Sequence, residues 1–386
     1  MNRSALKMLI RDRAKYLGIL LGISFASLLI TQQSAIFVGL MTRTFSTITD
    51  LSQPDIWVMD PKVQFIDDVK PMQDTELFRV RSVDGVQWAV PLYKGTLRAR
   101  LPDGNFQACS ILGLDDTTLI GGPPVMIQGQ LADLRRSDAV IADVVEAGRR
   151  LARPSAAPGG MPVPLQVGDT LELNDHRAVV VGICKVSRAF QNQPVLYTTY
   201  SRATIFAPRE RKLLSFVLVK AKKGQDLNEL CDRIARVTGL VAYTRDEFKW
   251  VTVKYYLKYT GIPVNIGTMA ILTLIIGTLI TGQMFYNFTL DNLRYFGALK
   301  AMGASDGTLL RMIMLQALVC GIIGYGIGVG SASLIEYFAS DSQLAFRILW
   351  QQLVITASAV TLICILASFI SIRKVMRLEP AVVFRS

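Results

Sequence analysis

Four stretches of this sequence contain no charged residue and are long enough to cross a lipid bilayer. They run Tyr16–Thr42, Tyr259–Leu290, Met312–Ile335 and Ile348–Ile372. Each exceeds the roughly 20 apolar residues that span a hydrocarbon core of about 30 Å. The first stretch lies near the N-terminus and the other three follow one another at the C-terminus, so a charged segment is enclosed between the first and second. The pattern predicts an α-helical membrane protein with four transmembrane helices and a large folded domain on one side.

The distribution of charge orients these spans. Of the formal net charge of +12, the segment Arg43–Lys258 carries +5, and the remaining +7 lies mainly beside the ends of the spans. Short loops rich in Lys and Arg stay in the cytoplasm. We therefore expect both termini and the loop 291–311 to be cytoplasmic, and the large domain to lie outside. The same rule accounts for the basic excess without nucleic acid, and the first apolar run is longer than a signal-peptide core, which favours a retained anchor.

These patterns divide the chain into successive segments. The N-terminal segment puts apolar residues on one helical face and basic residues elsewhere, which is typical of a helix at the membrane surface. The large domain reads as mixed α and β, with a β-rich middle part inserted into an outer part. The predicted segments are the interfacial helix 1–15, span 16–42, domain 43–258 with an inserted subdomain of about 106–205, span 259–290, cytoplasmic helix 291–306, span 307–336, loop 337–347, span 348–372 and tail 373–386.

Several local patterns within the domain predict individual elements. Val86–Pro91 and Gly95–Arg100 are strand-like, and Gly168–Val186 reads as a hairpin with its turn at Asn174-Asp175. Asp138–Arg150 is interpreted as a short helix. Leu227–Val237 is a second helix, with Asp226 as its N-cap.

The sequence offers little that could carry out catalysis. His176 is the only histidine, and it lies beside a predicted turn, so a zinc site has no ligand set. No GxSxG, HExxH or GxxxxGK[ST] motif occurs. The four charge-free stretches contain no Asp, Glu, Lys, Arg or His, which argues against an ion-coupled carrier. Cys109, Cys184 and Cys231 have no CxxC spacing; buried free thiols are favoured, and a disulfide stays open.

The stretch Asp291–Asp306 is too polar to span the membrane and too apolar for a free loop. In a short helix, Arg294, Tyr295, Ala298, Leu299 and Met302 cluster on one side, Gly303 suits the helix end, and Ser305 can cap the next helix. The segment is either a surface helix that links two spans or a docking helix for a cytoplasmic partner.

The third span contains closely spaced glycines. Gly324 and Gly328 form one small-xxx-small pair, and Gly326 and Gly330 form another. Such pairs let helix backbones approach closely. They predict either packing within one bundle or an interface between two copies.

Three segments of the sequence resemble the MacB/FtsX-like ABC transporter permeases. RYFGALKAMGAS, from Arg294, resembles the family's segment after the second span, with Gly297, Lys300, Ala301, Met302, Gly303 and Ala304 in the matching places. The tail LEPAVVFR resembles the family's closing motif through Pro380, Ala381, Phe384 and Arg385. The hairpin VGDTLEL…VVVGI resembles part of the family's external domain.

The layout resembles the DevC-like branch, in which the ATPase is a separate subunit, whereas MacB itself carries its ATPase on the same chain. An acidic residue usual before the RxxGALKAMGA segment is represented only by Asp291.

The resemblance implies a homodimeric mechanotransmission permease of a bacterial inner membrane. A porter-like and a β-rich sabre-like subdomain would form the periplasmic domain. A separate ATP-binding subunit would hold ATP and Mg²⁺ and dock on the helix near Tyr295–Met302, and this chain would bind no cofactor and catalyse no reaction. The remaining partners would be membrane lipid, a periplasmic adaptor and an outer-membrane exit duct.

Other functions are compatible with the same sequence. Lipoprotein extraction and haem export keep the fold and change the cargo. An FtsX-like regulator of a periplasmic hydrolase belongs to a different class, although a domain of this size is large for that role. The sequence does not name a cargo.

Overall fold

The computed structural model describes residues 7–9, 11–101, 103–155, 160–208, 214–339 and 344–376. Its contacts divide the chain into two units, one formed by Met1–Leu40 with Gly261–Ser386 and the other by Met41–Thr260. We call the first the helical unit and the second the α/β domain. The matches to the family's closing motif at Pro380–Arg385 lie outside the described residues.

The helical unit contains four helices that are long and apolar enough to cross a membrane, within the described residues. They are α1 (Arg13–Thr44), α8 (Ile262–Asp291), α10 (Asp306–Ala339) and α11 (Trp350–Met376). A short helix, α9 (Leu293–Ala301), lies between α8 and α10. All four long helices contribute to one buried cluster, for example through Ile23, Phe285, Cys320 and Cys364.

The α/β domain is built on a sheet of ten strands among the described residues, in the order β10-β1-β9-β2-β3-β8-β5-β7-β4, with β6 paired to β2 and β7. The strands are β1 (Ile56–Met59), β2 (Val86–Arg100), β3 (Phe106–Leu114), β4 (Val125–Gln128), β5 (Ala139–Asp143), β6 (Thr170–Leu173), β7 (His176–Lys185), β8 (Val195–Thr199), β9 (Phe216–Ala221) and β10 (Val241–Thr244). Strands β3 to β8 come from residues 106–199, and the flanking segments supply the others.

Helices of the domain connect these strands. They are α2 (Ser46–Asp50), α3 (Thr75–Arg81), α4 (Val144–Ala147), α5 (Tyr200–Phe206), α6 (Leu227–Thr238) and α7 (Arg245–Tyr259), with a 3-10 turn at Leu131–Arg135. The fold class predicted from the sequence, four membrane helices and a large mixed α/β domain, is confirmed.

The long strand β2 joins the two parts of the sheet. Its first half pairs with β9 from Val86 to Leu92, and its second half pairs with β3 from Tyr93 to Arg100. The sequence predicts two separate strands here, Val86–Pro91 and Gly95–Arg100. Pro91 instead lies within the ladder opposite Val217, so one strand carries both parts of the domain.

The helix predicted over Asp138–Arg150 is wrong in its first half. Ala139–Asp143 forms the fully buried strand β5, which lies between β8 and β7 in the sheet. Only Val144–Ala147 is helical, and the Asp143 carboxylate caps it by accepting from the Glu146 N–H at 3.3 Å. A short run that is apolar on both faces has no period to separate a central strand from a helix.

Two other local predictions are confirmed. Asn174 and Asp175 have φ of 49° and 65° and form the turn between β6 and β7, a conformation that short polar side chains tolerate. The Asp226 side chain accepts from the N–H groups of Asn228 and Glu229 and caps α6.

Candidate partner-docking site

The helix α9 begins at a sharp break after α8. Asn292 separates the two helices, and its side-chain amide donates to the Phe288 carbonyl at 2.8 Å. Its own carbonyl accepts from the N–H groups of Tyr295 and Phe296 at 3.0 and 3.1 Å. Asn292 therefore closes one helix and starts the other within a single residue.

The other end of α9 is closed by a glycine turn. Gly303 has φ of +95°, and its N–H donates to the Lys300 carbonyl while the Ala304 N–H donates to the Leu299 carbonyl, each at 3.0 Å. These two bonds form a Schellman motif, in which a left-handed residue satisfies the last carbonyls of a helix. Ser305 then accepts from the Thr308 N–H at 3.3 Å and caps α10, as the sequence predicts.

One face of α9 is held against the helical unit. Phe296 and Gly297 are buried, and Leu299 is half-buried. Phe296 packs in a small cluster with Leu309, Met312 and Ile313 of α10, and Met8 of the N-terminal segment lies against the same cluster. The helix is therefore anchored at both ends and along one side.

The opposite face of α9 is exposed and contains large side chains. Tyr295 is 51% exposed and Met302 is 76% exposed, and Arg294 and Gly303 are exposed beside them. Large apolar and aromatic side chains that stay exposed on an anchored helix are typical of a surface that a partner covers.

The residues that the sequence predicts for docking do not all share this face. They are Arg294, Tyr295, Gly297, Ala298, Leu299, Lys300, Met302 and Gly303. Gly297 is buried, and Ala298, Leu299 and Lys300 are half-buried. The Lys300 ammonium lies 3.1 Å from the Asp306 carboxylate at the start of α10. The structure thus brings together Arg294, Tyr295, Met302 and Gly303 at the surface, whereas Gly297 and Leu299 position the helix from behind.

The N-terminal segment contributes to the same region, which the sequence did not indicate. A cavity of about 440 Å³ is lined by Asn292, Tyr295 and the basic residues Lys7, Arg11 and Arg13, together with Met8 and Asp12. The Lys15 ammonium contacts Asp291 and lies 3.0 Å from Asp12. Its hydrogen bond to the Asp12 carboxylate lowers the pKa of that group.

The four glycines predicted for helix packing separate into two pairs. A Cβ at Gly324 would lie 2.7 Å from the Ile23 side chain, and a Cβ at Gly328 would lie 2.6 Å from the Ser24 carbonyl oxygen. This pair therefore packs directly on α1. A Cβ at Gly326 or Gly330 would meet nothing within 4 Å, so the second pair lies on an open face of α10.

The α/β domain contains a cavity of about 380 Å³ whose wall includes an ion pair. The Lys94 ammonium, on a side chain only 8% exposed, bonds to the Asp67 carboxylate. Gln191, Gln193 and Ser110 also line the cavity. Lys94 and Asp67 are far apart in sequence and neither stands in a recognisable motif, so no pattern could have identified this site.

The structure also places the single histidine and the five cysteines. His176 is exposed at the start of β7. All five cysteines are buried free thiols, and burial raises the pKa of Cys109, Cys184 and Cys231 to about 12. Among the residues described, no cluster of three or more His, Cys, Asp or Glu could hold a metal ion.

Four membrane helices, an α/β domain between the first two and a short anchored helix between the second and third define the permease component of an ABC transporter. The chain belongs to the MacB/FtsX-like family of these permeases: residues 16–237 match the MacB-like periplasmic core domain, and residues 267–380 match the FtsX-like permease C-terminal domain.

Individual relatives agree with this assignment. An uncharacterized ABC transporter permease of Mycobacterium tuberculosis is 24% identical over 271 residues, which cover 69% of this chain and 66% of the relative. The macrolide export ATP-binding/permease protein MacB of Shewanella oneidensis is 24% identical over 226 residues, 55% of this chain and 34% of that protein. The chain thus spans slightly less than two thirds of the mycobacterial relative and about a third of MacB.

Among solved structures, the periplasmic region of MacB from Actinobacillus actinomycetemcomitans matches with 14% identity and a TM-score of 0.37, covering 55% of this chain and 96% of that region. The extracellular domain of the transporter YknZ matches with 13% identity and a TM-score of 0.35, covering 48% of this chain and 92% of that domain.

Proposed function

We propose that this chain is a mechanotransmission permease, which converts ATP hydrolysis on a separate cytoplasmic subunit into movement of the α/β domain outside the membrane. Two copies would form the transporter, each with an ATP-binding subunit docked on α9. Movement of the domain would drive efflux or secretion through a periplasmic adaptor and an outer-membrane duct. Both termini and α9 would lie in the cytoplasm of a bacterial inner membrane.

The observation that carries this proposal is the exposed face of α9. Tyr295 and Met302 project from a helix whose other side is fixed by Phe296 and whose end is closed by Gly303. A partner that pushes on this face would displace α9 as one body, because both ends of the helix are tied to the neighbouring spans.

The chain connections supply a route for that displacement. Asn292 alone separates α9 from α8, and two residues, Thr260 and Gly261, separate α8 from α7 of the domain. On the other side, α1 continues without interruption to Thr44, four residues into the domain. The domain is thus connected at both of its ends to a membrane helix, and movement of either helix would act on it.

The composition of the spans supports a cargo that does not cross the bundle. Their central parts contain no Asp, Glu, Lys, Arg or His, whereas a polar substrate or a coupling ion normally needs such groups at membrane depth. A cargo taken up on the domain's side of the membrane agrees with this, and the MacB relative is a macrolide export protein by name.

The test is co-purification of the tagged full-length chain from its native membrane in mild detergent. We expect an ATP-binding protein with a P-loop to be recovered together with the chain, and an adaptor with a coiled-coil hairpin to be recovered after cross-linking. Tyr295→Glu and Met302→Glu should each lower recovery of the ATP-binding protein by about tenfold or more, because exposed aromatic and apolar anchors dominate such interfaces.

Leu344→Glu is the matched control. Leu344 is 58% exposed and lies between α10 and α11, at the opposite end of α10 from α9 in the sequence. It should leave recovery of the ATP-binding protein unchanged. Equal losses in all three variants, or recovery of no ATP-binding protein with the unmodified chain, would contradict the proposal.

A further inference from the structure

A groove with an apolar wall runs along α10 and α11 at the end of α10 that follows α9. Its volume is about 390 Å³. Leu310, Met314, Leu315 and Leu318 line it from α10, and Ile365 lines it from α11. The lining residues of α10 span Gly307 to Leu318, a length of about 16 Å at the helical rise of 1.5 Å per residue.

The polar groups in the wall are already bonded within their own helix. The Thr361 hydroxyl donates to the Ala357 carbonyl at 2.8 Å, and the Ser368 hydroxyl donates to the Cys364 carbonyl at 2.7 Å. Neither hydroxyl offers its proton to a ligand, so the groove presents hydrocarbon along its length.

The lining of the groove includes one positively charged side chain, that of Arg311. Arg311 is the only charged residue in its lining; its side chain is exposed and makes no ion pair with any residue in the described part of the chain. The nearest acidic residue in sequence, Asp306, is held by Lys300 at 3.1 Å. Arg311 directly precedes the charge-free stretch Met312–Ile335, a position from which a long side chain extends to the headgroup region of a bilayer.

We propose that this groove binds one phospholipid with an anionic headgroup, with an acyl chain along the apolar wall and the phosphate on the Arg311 guanidinium. The planar guanidinium fits a phosphate with two parallel hydrogen bonds. Basic pockets between membrane helices are known binding sites for anionic lipids.

The charge at the groove favours a lipid over a second copy of the chain. A helix packed there would cover Arg311 with apolar surface and leave its charge without a partner, which is costly within a membrane. One hydrocarbon chain with an anionic headgroup satisfies both the wall and the charge.

The experiment is native mass spectrometry of the full-length chain after exchange into detergent with palmitoyl-oleoyl phosphatidylglycerol or phosphatidylcholine. We expect one phosphatidylglycerol to be retained at activation energies that remove phosphatidylcholine. Arg311→Gln should reduce this retention by about tenfold, because it removes a hydrogen bond between charged groups. Arg311→Lys keeps the charge and loses the planar fork, so an intermediate result is expected.

Arg294→Gln is the matched control, because Arg294 is an exposed cation on α9 that does not line the groove. It should leave lipid retention unchanged. Leu318→Trp, at a residue 46% exposed, should partly fill the groove and reduce retention of both lipids without unfolding the chain.

Three outcomes would overturn the proposal. Equal losses in Arg311→Gln and Arg294→Gln would show only general attraction to charged lipid. A chain that dimerises as it loses lipid, with Leu318→Trp blocking the dimer, would assign the groove to a second copy. If phosphatidylglycerol bound only after deletion of residues 377–386, the C-terminal tail and not a lipid would be the occupant of the groove in the full-length chain.

Discussion

The α/β domain and the helical unit rely to different degrees on two kinds of side-chain hydrogen bond, which are helix caps and bonds back along the helix. In the domain, side chains cap helices: Thr244 accepts from the Glu247 N–H at 3.3 Å, and the Glu247 carboxylate accepts from the Thr244 N–H at 2.9 Å. In the helical unit, hydroxyls bond back to the carbonyl one turn earlier; Thr31, Thr289 and Ser368 are examples, at 2.7 to 2.8 Å. A chain in water can leave its helix ends solvated, whereas a helix in lipid must satisfy every polar group internally.

The cores of the two units are also held together by different contacts. The domain buries large aromatic side chains together, as Trp57, Phe216 and Phe248 show with ring centres 5.6 to 6.0 Å apart. The helical unit instead brings backbones together at Gly324 and Gly328. Hydrocarbon side chains gain little by leaving lipid for a protein core, so close backbone contact and shape must hold membrane helices. The comparison predicts that removing side-chain volume destabilises the domain more than the helical unit. Adding side-chain volume should destabilise the helical unit more than the domain.

The largest effect is expected for Phe248→Ala. Phe248 is fully buried and lies between Trp57, Phe216 and Tyr243. Its truncation should lower the free energy of unfolding of the domain by about 3–5 kcal/mol. Thermal unfolding of the detergent-solubilised chain, followed by proteolysis of the domain, measures this change.

Phe78→Ala is its control, because Phe78 is 63% exposed, and we expect a change within about 0.5 kcal/mol. If Phe248→Ala also shifted the unfolding of the membrane helices, the two units would not be independent and the comparison would fail.

The next largest effect is expected for Gly328→Leu in the helical unit. The added side chain would collide with the Ser24 carbonyl and with Ser27, and overpacking of this kind costs about 1–3 kcal/mol or more. Gly326→Leu adds the same volume on the open face of α10 and should leave the folded monomer unchanged. The measurement is the fraction of folded chain recovered from membranes, with the oligomeric state from light scattering.

The two glycine variants also separate the two interpretations of the glycine pattern. A loss of dimer in Gly326→Leu, with the monomer intact, would show that the second pair serves contact between copies. Equal effects of the two variants on the monomer would contradict the assignment of Gly324 and Gly328 to the packing of α1 on α10.

How much of the fold could be predicted from the sequence depends on how local the signal is. The four spans and the Asp226 cap follow from residues close together in the chain, and both were predicted. The strand Ala139–Asp143 is not predictable from its own residues, because its environment between β7 and β8 is supplied by segments distant in the sequence. The parallel pairing of β3 with β8 has no local pattern at all.

The candidate site also has some features that neighbouring residues predict and others that depend on distant segments. The end of α9 at Gly303 and the cap at Ser305 were predicted, because each depends on two or three neighbouring residues. The burial of Gly297, the pairing of Lys300 with Asp306 and the approach of Met8 to Phe296 depend on where α10 and the N-terminal segment lie. Helical periodicity identifies a face of α9 but does not indicate which neighbour covers it.

A smaller effect is expected when a cap of the domain is removed. Thr244→Ala removes the hydroxyl that accepts from the Glu247 N–H at the start of α7, whereas the backbone N–H of residue 244 still donates to the Glu247 carboxylate. We expect a loss of about 1 kcal/mol in the stability of the domain. Thr244→Ser keeps the hydroxyl and should restore most of the loss. The domain's thermal midpoint measures both, and a loss in Thr244→Ser equal to that in Thr244→Ala would show that the methyl contact, rather than the cap, is responsible.

The smallest effect concerns pH. The Asp143 carboxyl is buried and caps α4, and burial raises its pKa above 3.8. A raised pKa means that the folded domain binds this proton more tightly than the unfolded chain, so the contribution to stability is fully present at low pH and falls as the pH rises from 3.8 through the folded value.

Asp143→Asn is neutral throughout and keeps an oxygen for the cap. It should therefore gain stability relative to the unmodified chain as the pH is raised from about 4 to 7, measured by thermal midpoints across that range. Asp84→Asn provides the opposite sign, because the hydrogen bond and charge of Lys222 lower the pKa of Asp84. The contribution of Asp84 to stability is lost as the pH falls from 3.8 through the lowered folded value, so this variant should lose stability relative to the unmodified chain as the pH is raised through that acidic range. If both variants changed in the same direction, the effect would arise from net charge and not from the burial that distinguishes Asp143 from Asp84.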